Sequence, residues 1–156
     1  ATETETFDML GVTRTISLVG VFVGTIAVSD SGTTTTTTSD KLVDSGQNFS
    51  TTVSVGDVVK NTTDTTYASV TAVDSDTTLS LSADIMASGE GYEVGGLPNK
   101  VAAIESIVDG DQSSSVPFVS DETGTYQVKV ASISTNWTAA GVSQRCEYRI
   151  MLIQGA

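Results

Sequence analysis

Histidine is absent from this chain, and cysteine occurs once, at Cys146. Within one chain these absences remove a disulfide, a Cys/His zinc site and any Ser-His or Cys-His nucleophile pair. Cys146 lies in the strand-like run 145–153, where a small buried or half-buried side chain is expected. Basic residues are also scarce, seven against nineteen acids, for a net charge of −12. Without clustered Lys and Arg, tight binding to a phosphate backbone is disfavoured. Sustained acidity suits a solvated surface, or a passage along which nucleic acid slides without sticking. Aromatic residues are few, so no sugar-stacking cleft is expected around any pair of carboxylates. Long hydrophobic runs are missing too. The most apolar window, residues 16–28, is too short for a bilayer and is interrupted by Ser17, Gly20, Gly24 and Thr25. The opening Ala-Thr-Glu-Thr-Glu-Thr has neither a positive region nor an apolar stretch, and is not expected to act as a secretory signal.

The apolar load falls instead on Val, Ile, Leu and Ala, and the β-branched members favour strands. Two stretches, residues 1–28 and 97–156, read as halves of one β-rich domain. Between them, residues 29–96 are built mainly from Thr, Ser, Asp, Val and Gly, with their own strand-and-turn rhythm. This segment holds ten of the acids and only two bases, Lys41 and Lys60. The fold class expected is mainly β: a β-sandwich or barrel with one short α-helix, carrying an inserted small β-barrel-like module.

Residues 1–10 form a polar, acidic arm ending in Phe7, Met9 and Leu10, expected to be ordered mainly by docking. The run 14–28 predicts two strands, or one long strand with a bulge or bend near Gly20–Gly24. In the insert, the six threonines 33–38 predict an extended connector or an edge strand. After Leu42-Val43 and a turn at 44–46, strands are predicted at Val58-Val59, 67–73 and 78–81, separated by Asp/Gly/Asn/Ser turns, and 91–94 leads back towards the main domain. Such a meander predicts a closed or half-closed barrel. The expected core is Val43, Phe49, Val53, Val58, Tyr67, Val70, Val73, Leu79, Leu81 and Ile85.

After Pro98 the period changes. Val101, Ile104, Ile107 and Val108 recur at helical spacing, with Asn99 as the expected N-cap and Gly110 as a left-handed C-cap. Strands follow at 116–120, 125–133 and 145–153, the first two joined by a hairpin turn at 121–124. Residues 136–143 are expected to form a loop carrying Trp137.

Candidate chemistry is thin. Asp74-Ser75-Asp76 and Asp109-Gly110-Asp111 resemble fragments of calcium loops but lack the remaining ligands and the distal bidentate Glu. Ser and Thr are abundant, yet no base accompanies them. Glycine pairs lack the strand-to-helix setting of a phosphate loop. No catalytic residue, cofactor site or metal site is therefore assigned. Self-association remains: Val/Ile-rich strands, an acidic arm and a protruding module suit a repeated subunit.

The flanks, taken without the insert, resemble the tail tube and related tail proteins of long-tailed viruses. The resemblance is carried by Gly11-Val-Thr-Arg-Thr-Ile-Ser-Leu18, and by the helix 101–108 followed by Gly110-Asp-Gln. It continues in Gly124-Thr-Tyr-Gln-Val-Lys-Val130 and Glu147-Tyr-Arg-Ile-Met-Leu-Ile153. The insert resembles small β-modules that decorate phage virion proteins. The resemblance implies a non-enzymatic virion subunit, assembled in the host cytoplasm, whose copies form rings, commonly hexamers, that stack into a tube. Its partners would be itself and other tail proteins, with DNA as transiting cargo and no membrane. It also implies subunit contacts at Phe7, Met9 and Leu10 of the arm and at Asn136 and Trp137, with the insert projecting outward. The alternatives are a capsid decoration protein and a secreted adhesin or surface-filament module.

Overall fold

A computed structural model describes residues 2–7, 14–110, 115–120, 124–140 and 143–154. The chain is mainly β and divides into two compact units: Ala1–Val23 with Ile104–Ala156, and Gly24–Ala103.

The first unit is built on a five-stranded sheet. Its strands are β1 (Thr2–Phe7), β2 (Arg14–Gly24), β9 (Val116–Ser120), β10 (Gly124–Ala140) and β11 (Ser143–Gln154), in the order β1-β2-β11-β10-β9. Residues 2–7 of the acidic arm form a strand rather than a free tail. They pair antiparallel with β2, from Thr2 opposite Val19 to Phe7 opposite Arg14. The alternating Thr and Glu of the arm favour an edge position, where one side of the backbone is satisfied by β2.

Strand β2 is continuous, and one alternation runs through Gly20 without a shift. Ile16 is fully buried, while Val19, Val21 and Val23 are exposed. Because successive side chains point to opposite faces, this places the odd-numbered valines away from the core. On the inner face Ile16, Val128, Val130 and Leu152 form the buried cluster. Leu18, Phe118, Tyr126, Ile150 and helix residue Val108 pack against it. Burying each of these large aliphatic side chains contributes roughly 1.5–3 kcal/mol.

The second unit is a curled six-stranded antiparallel sheet. Its members are β3 (Asp30–Thr33), β4 (Lys41–Val43), β5 (Val58–Asn61), β6 (Thr66–Ser75), β7 (Thr78–Leu81) and β8 (Gly91–Val94). Their order is β3-β8-β5-β6-β7-β4. The chain just past β3 reaches the opposite end of the sheet, where the Thr35 N–H donates to the Val43 carbonyl at 2.8 Å. The threonine run is therefore a connector; only Thr33 lies in a strand.

One face of the curl encloses Leu42, Phe49, Val53, Val59, Ala68, Val70, Leu79, Leu81, Met86, Tyr92 and Val94. Phe49, Val53, Val70, Leu79 and Leu81 take their expected places, and Val73 and Ile85 are partly buried against the cluster. Val43, Val58 and Tyr67 yield theirs to the adjacent Leu42, Val59 and Ala68. Apolar residues sit on both sides of these strands, so composition alone does not fix which parity faces inward. A four-residue helix, α1 (Phe49–Thr52), is a second helix beyond the one expected. It carries Phe49 into the core edge-on to Tyr92, with ring centroids 6.1 Å apart.

Helix α2 spans Leu97–Asp109, beginning before the expected Asn99 cap. Pro98 is tolerated in the first turn, where its missing N–H has no intrahelical partner to lose. The Gly96 carbonyl accepts from Lys100 N–H at 3.2 Å. Asn99 is buried instead, donating to Glu93 Oε2 at 3.0 Å and the Gly95 carbonyl at 3.2 Å. Gly95 and Gly96 both have positive φ, 73° and 82°, a region that favours glycine. Gly110 is not among the positive-φ residues; its N–H closes the last turn on Ser106.

Candidate functional site

The sheet of the first unit brings an unequal pair of surfaces into view. Its inner face is cored, whereas its outer face exposes Val19, Val21, Met151 and Ile153 beside the charged Lys129, Glu147 and Arg149. Around Val19, Ser134, Asn136, Glu147 and Arg149 this surface forms a shallow hollow of about 290 Å³.

Residues 136–140, expected in a loop, instead continue β10. The β10–β11 ladder runs to Ala140 opposite Ser143, with a register shift between Val130 and Ser132. Thr and Ile are strong strand formers, and half-buried Ile133 and Thr135 alternate with exposed Ser134 and Asn136, which suits the extension. Asn136 pairs with Glu147 and Trp137 with Cys146. Asn136 is exposed, and Trp137 keeps 43% of its surface exposed, an unusual position for so large an aromatic side chain. Phe7 lies on β1, separated from β10 by β2 and β11, so the two sets of expected contact residues are not brought together within one chain. Met9 and Leu10 lie outside the described residues.

Cys146 is fully buried and its thiol is pushed above the usual range, first by burial and further by the charge of Glu105; a backbone hydrogen bond from Asn136 opposes this. A thiol held in its neutral form is a poor nucleophile. Glu105 itself accepts from Thr135 Oγ1 at 2.9 Å, tying α2 to β10.

In the inserted unit, Asp64, Asp84 and Glu90 line an open hollow of about 350 Å³ with Thr37, Thr66 and Met86. Glu90 Oε2 is already occupied, accepting from Asn61 Nδ2 at 2.9 Å and Ala87 N–H at 2.5 Å. Asn61 is wholly buried and satisfied: it also donates to the Ile85 carbonyl and accepts from Thr63 and Asp64 N–H. Of the two calcium-loop fragments, Asp74 is engaged by Lys41 Nζ at 2.8 Å and Ser80 Oγ at 2.7 Å. Those hydrogen bonds hold its carboxyl below the ordinary value. Asp76 accepts from Ser50. Asp111 lies outside the described residues. Among the described residues no group of three or more His, Cys, Asp or Glu has the placement to hold a metal ion.

The hydroxyl–carboxylate pairs Ser50–Asp76, Thr52–Asp30 and Ser80–Asp74 join turns and strands. Each hydroxyl donates to a carboxylate, and the Ser80 hydroxyl also accepts from Lys41 Nζ at 2.9 Å. The outer face of the five-stranded sheet, with Val19, Val21, Met151 and Ile153 exposed, is the candidate surface. The sequence signal for its least obvious part, the distal half of β10, is the absence of any proline or charged residue from Ala131 to Ala140.

Among the described residues, no helix is long and apolar enough to cross a membrane. No protein-family model matches the chain, and no curated protein or solved structure matches it.

Proposed function

We propose that this chain is a structural virion subunit whose copies assemble into stacked rings, forming a tail tube that conducts DNA. The observation that carries the reading is the incomplete coverage of the five-stranded sheet. One face is cored by its own cluster, while the other face exposes Val19, Val21, Met151 and Ile153 and the edges lack partner strands among the described residues. Exposed apolar side chains on a sheet with open edges are buried readily by neighbouring copies. The resemblance of the flanking segments to tail tube proteins supplies the form of the assembly. The inserted unit has its own buried cluster, which suits a decoration carried on the wall. Its acidic surface fits the exterior of the tube, and DNA would pass without a specific binding site.

Electron microscopy of the purified chain tests this. Stacked rings with an open channel are the expected result; monomers or compact trimers that attach only to capsids would overturn it in favour of a decoration protein.

A further inference from the structure

The six strands of the inserted unit are joined by five ladders, each with three or four paired residues, from β3 at one end to β4 at the other. No ladder joins β3 to β4 among the described residues. The curl is closed there mainly by side chains. One backbone bond crosses, from the Thr35 N–H to the Val43 carbonyl. Thr35 Oγ1 donates to the same carbonyl at 3.3 Å and accepts from the Ser45 N–H at 3.2 Å. Gln47 Nε2 donates to the Ser31 carbonyl at 3.0 Å. Beneath these, the Tyr92 hydroxyl on β8 meets the Asp44 carboxylate that follows β4. Gly32 leaves room for the pair: a side-chain carbon there would stand 2.6 Å from Asp44 Oδ2 and 2.7 Å from Tyr92 Oη. The threonine run holds the β3 side in place. Buried Thr34 donates its hydroxyl to the Ala87 carbonyl and its N–H to the Glu90 carbonyl, and Thr37 Oγ1 accepts from the Ser88 N–H at 2.8 Å.

We infer that residues 34–37 form a strap that closes the inserted sheet into a barrel, and that the barrel opens reversibly along the β3–β4 seam while its five ladders stay paired. Opening at the seam breaks one backbone bond, against several in any ladder. It also returns a buried carboxylate and a buried phenol to water, which offsets part of the loss of their mutual hydrogen bond. Local opening of such a region runs at free energies below that of global unfolding. Closed, the strap caps the Val43 carbonyl at the outer edge of β4, where an uncovered strand edge would offer its backbone groups to another chain. The device lies within the inserted unit and is independent of how copies assemble.

Two measurements on the full-length chain test this. By nuclear magnetic resonance, the Thr35 and Ser45 N–H groups are expected to exchange with solvent at least about tenfold faster than those of Thr34 and Asp44, which bond to Glu90 and Thr77 on the ladder sides. Urea below the unfolding transition should leave the faster rates unchanged. Thiol labelling then separates opening from fraying of a surface loop. Leu42→Cys, at a fully buried position on β4, is expected to show a urea-independent route that Val59→Cys, buried on the central strand β5, lacks; labelling of Cys146 in the native chain gives the background. Gly32→Ala crowds the Asp44–Tyr92 link and Tyr92→Phe removes it without added bulk. Each is expected to speed Thr35 exchange and Leu42→Cys labelling about tenfold, with circular dichroism unchanged. Labelling of Leu42→Cys only by the urea-dependent route of Val59→Cys would overturn the inference. So would Thr34 or Asp44 N–H exchanging together with Thr35, or rates indifferent to both substitutions.

Discussion

Tyr148 on β11 lies across Gly20 on β2: a side-chain carbon placed at Gly20 would stand 2.6 Å from Tyr148 Cζ. The same ring stacks on Phe22, with centroids 4.3 Å apart and planes inclined by 26°. Gly20 is thus a matter of space. It lets an aromatic ring cover the strand at the point where any larger residue would push the ring away.

Gly20→Ala is therefore expected to destabilise the first unit by about 1–3 kcal/mol through overpacking. Chemical denaturation followed by tyrosine or tryptophan fluorescence measures this. Combining it with Tyr148→Ala should show strong non-additivity, since the second change removes the clash; simple additivity would refute the contact.

A second prediction concerns the buried pair in the inserted unit. Tyr92 Oη donates to Asp44 Oδ2 at 2.8 Å, with both residues buried. Burial, reinforced by the Asp44 hydrogen bond and charge, pushes the phenol well above its ordinary value. Tyr92→Phe keeps the ring packed on Phe49 but removes one donor from a buried carboxylate. The expected cost is about 1–3 kcal/mol. A denaturation midpoint unchanged from the native chain would show that Asp44 finds another donor.

Acid should weaken the Lys41–Asp74 link. Its hydrogen bonds to Lys41 and Ser80 lower the Asp74 pKa from 3.8, so folding favours the ionised form. That contribution is complete above the unfolded value and is lost as pH falls through the lower folded one. Both side chains are about one-third exposed, at 36% and 35%, so solvent screening keeps the whole effect at or below about 1 kcal/mol. Asp74→Asn is expected to flatten the stability-against-pH curve below 3.8; an unchanged slope would remove Asp74 from the account.

Replacing residues 31–95 by a short linker is expected to leave the first unit folded and able to assemble. Every residue of its buried cluster, Ile16, Val128, Val130 and Leu152, lies outside that segment. The point of departure is narrow, because the Ser29 N–H donates to the Val94 carbonyl and the Leu97 N–H to Thr25, each at 2.8 Å. Loss of cooperative unfolding in the shortened chain would refute the insertion.

Legibility in the sequence followed the strength of local rules. The turns of the insert were marked by Asp, Gly and Asn, whose side chains and backbone freedom act within a few residues, and its strands fell between them. The arm was harder. Thr2–Phe7 has too little apolar surface to specify a strand alone, and only the ladder to β2 satisfies its backbone on one side. Asn99 showed the same limit: asparagine caps helices often, but here Pro98 already suits the first turn and Glu93 claims the amide. The resemblance points to Asn136 and Trp137 as contact residues and local pattern predicts a loop there, whereas pairing with Glu147 and Cys146 makes them part of a strand.

By itself the sequence determined a β-rich chain with no histidine and one cysteine, carrying a self-punctuated acidic insert. Those are consequences of composition and of turn chemistry, which act locally. Only the tertiary structure decided which parity of each strand faces inward, that the arm is an edge strand, and that β10 outruns β9. Each of these depends on pairing between distant residues: a strand's buried face and its open edge are properties of its neighbours, and no local pattern contains them.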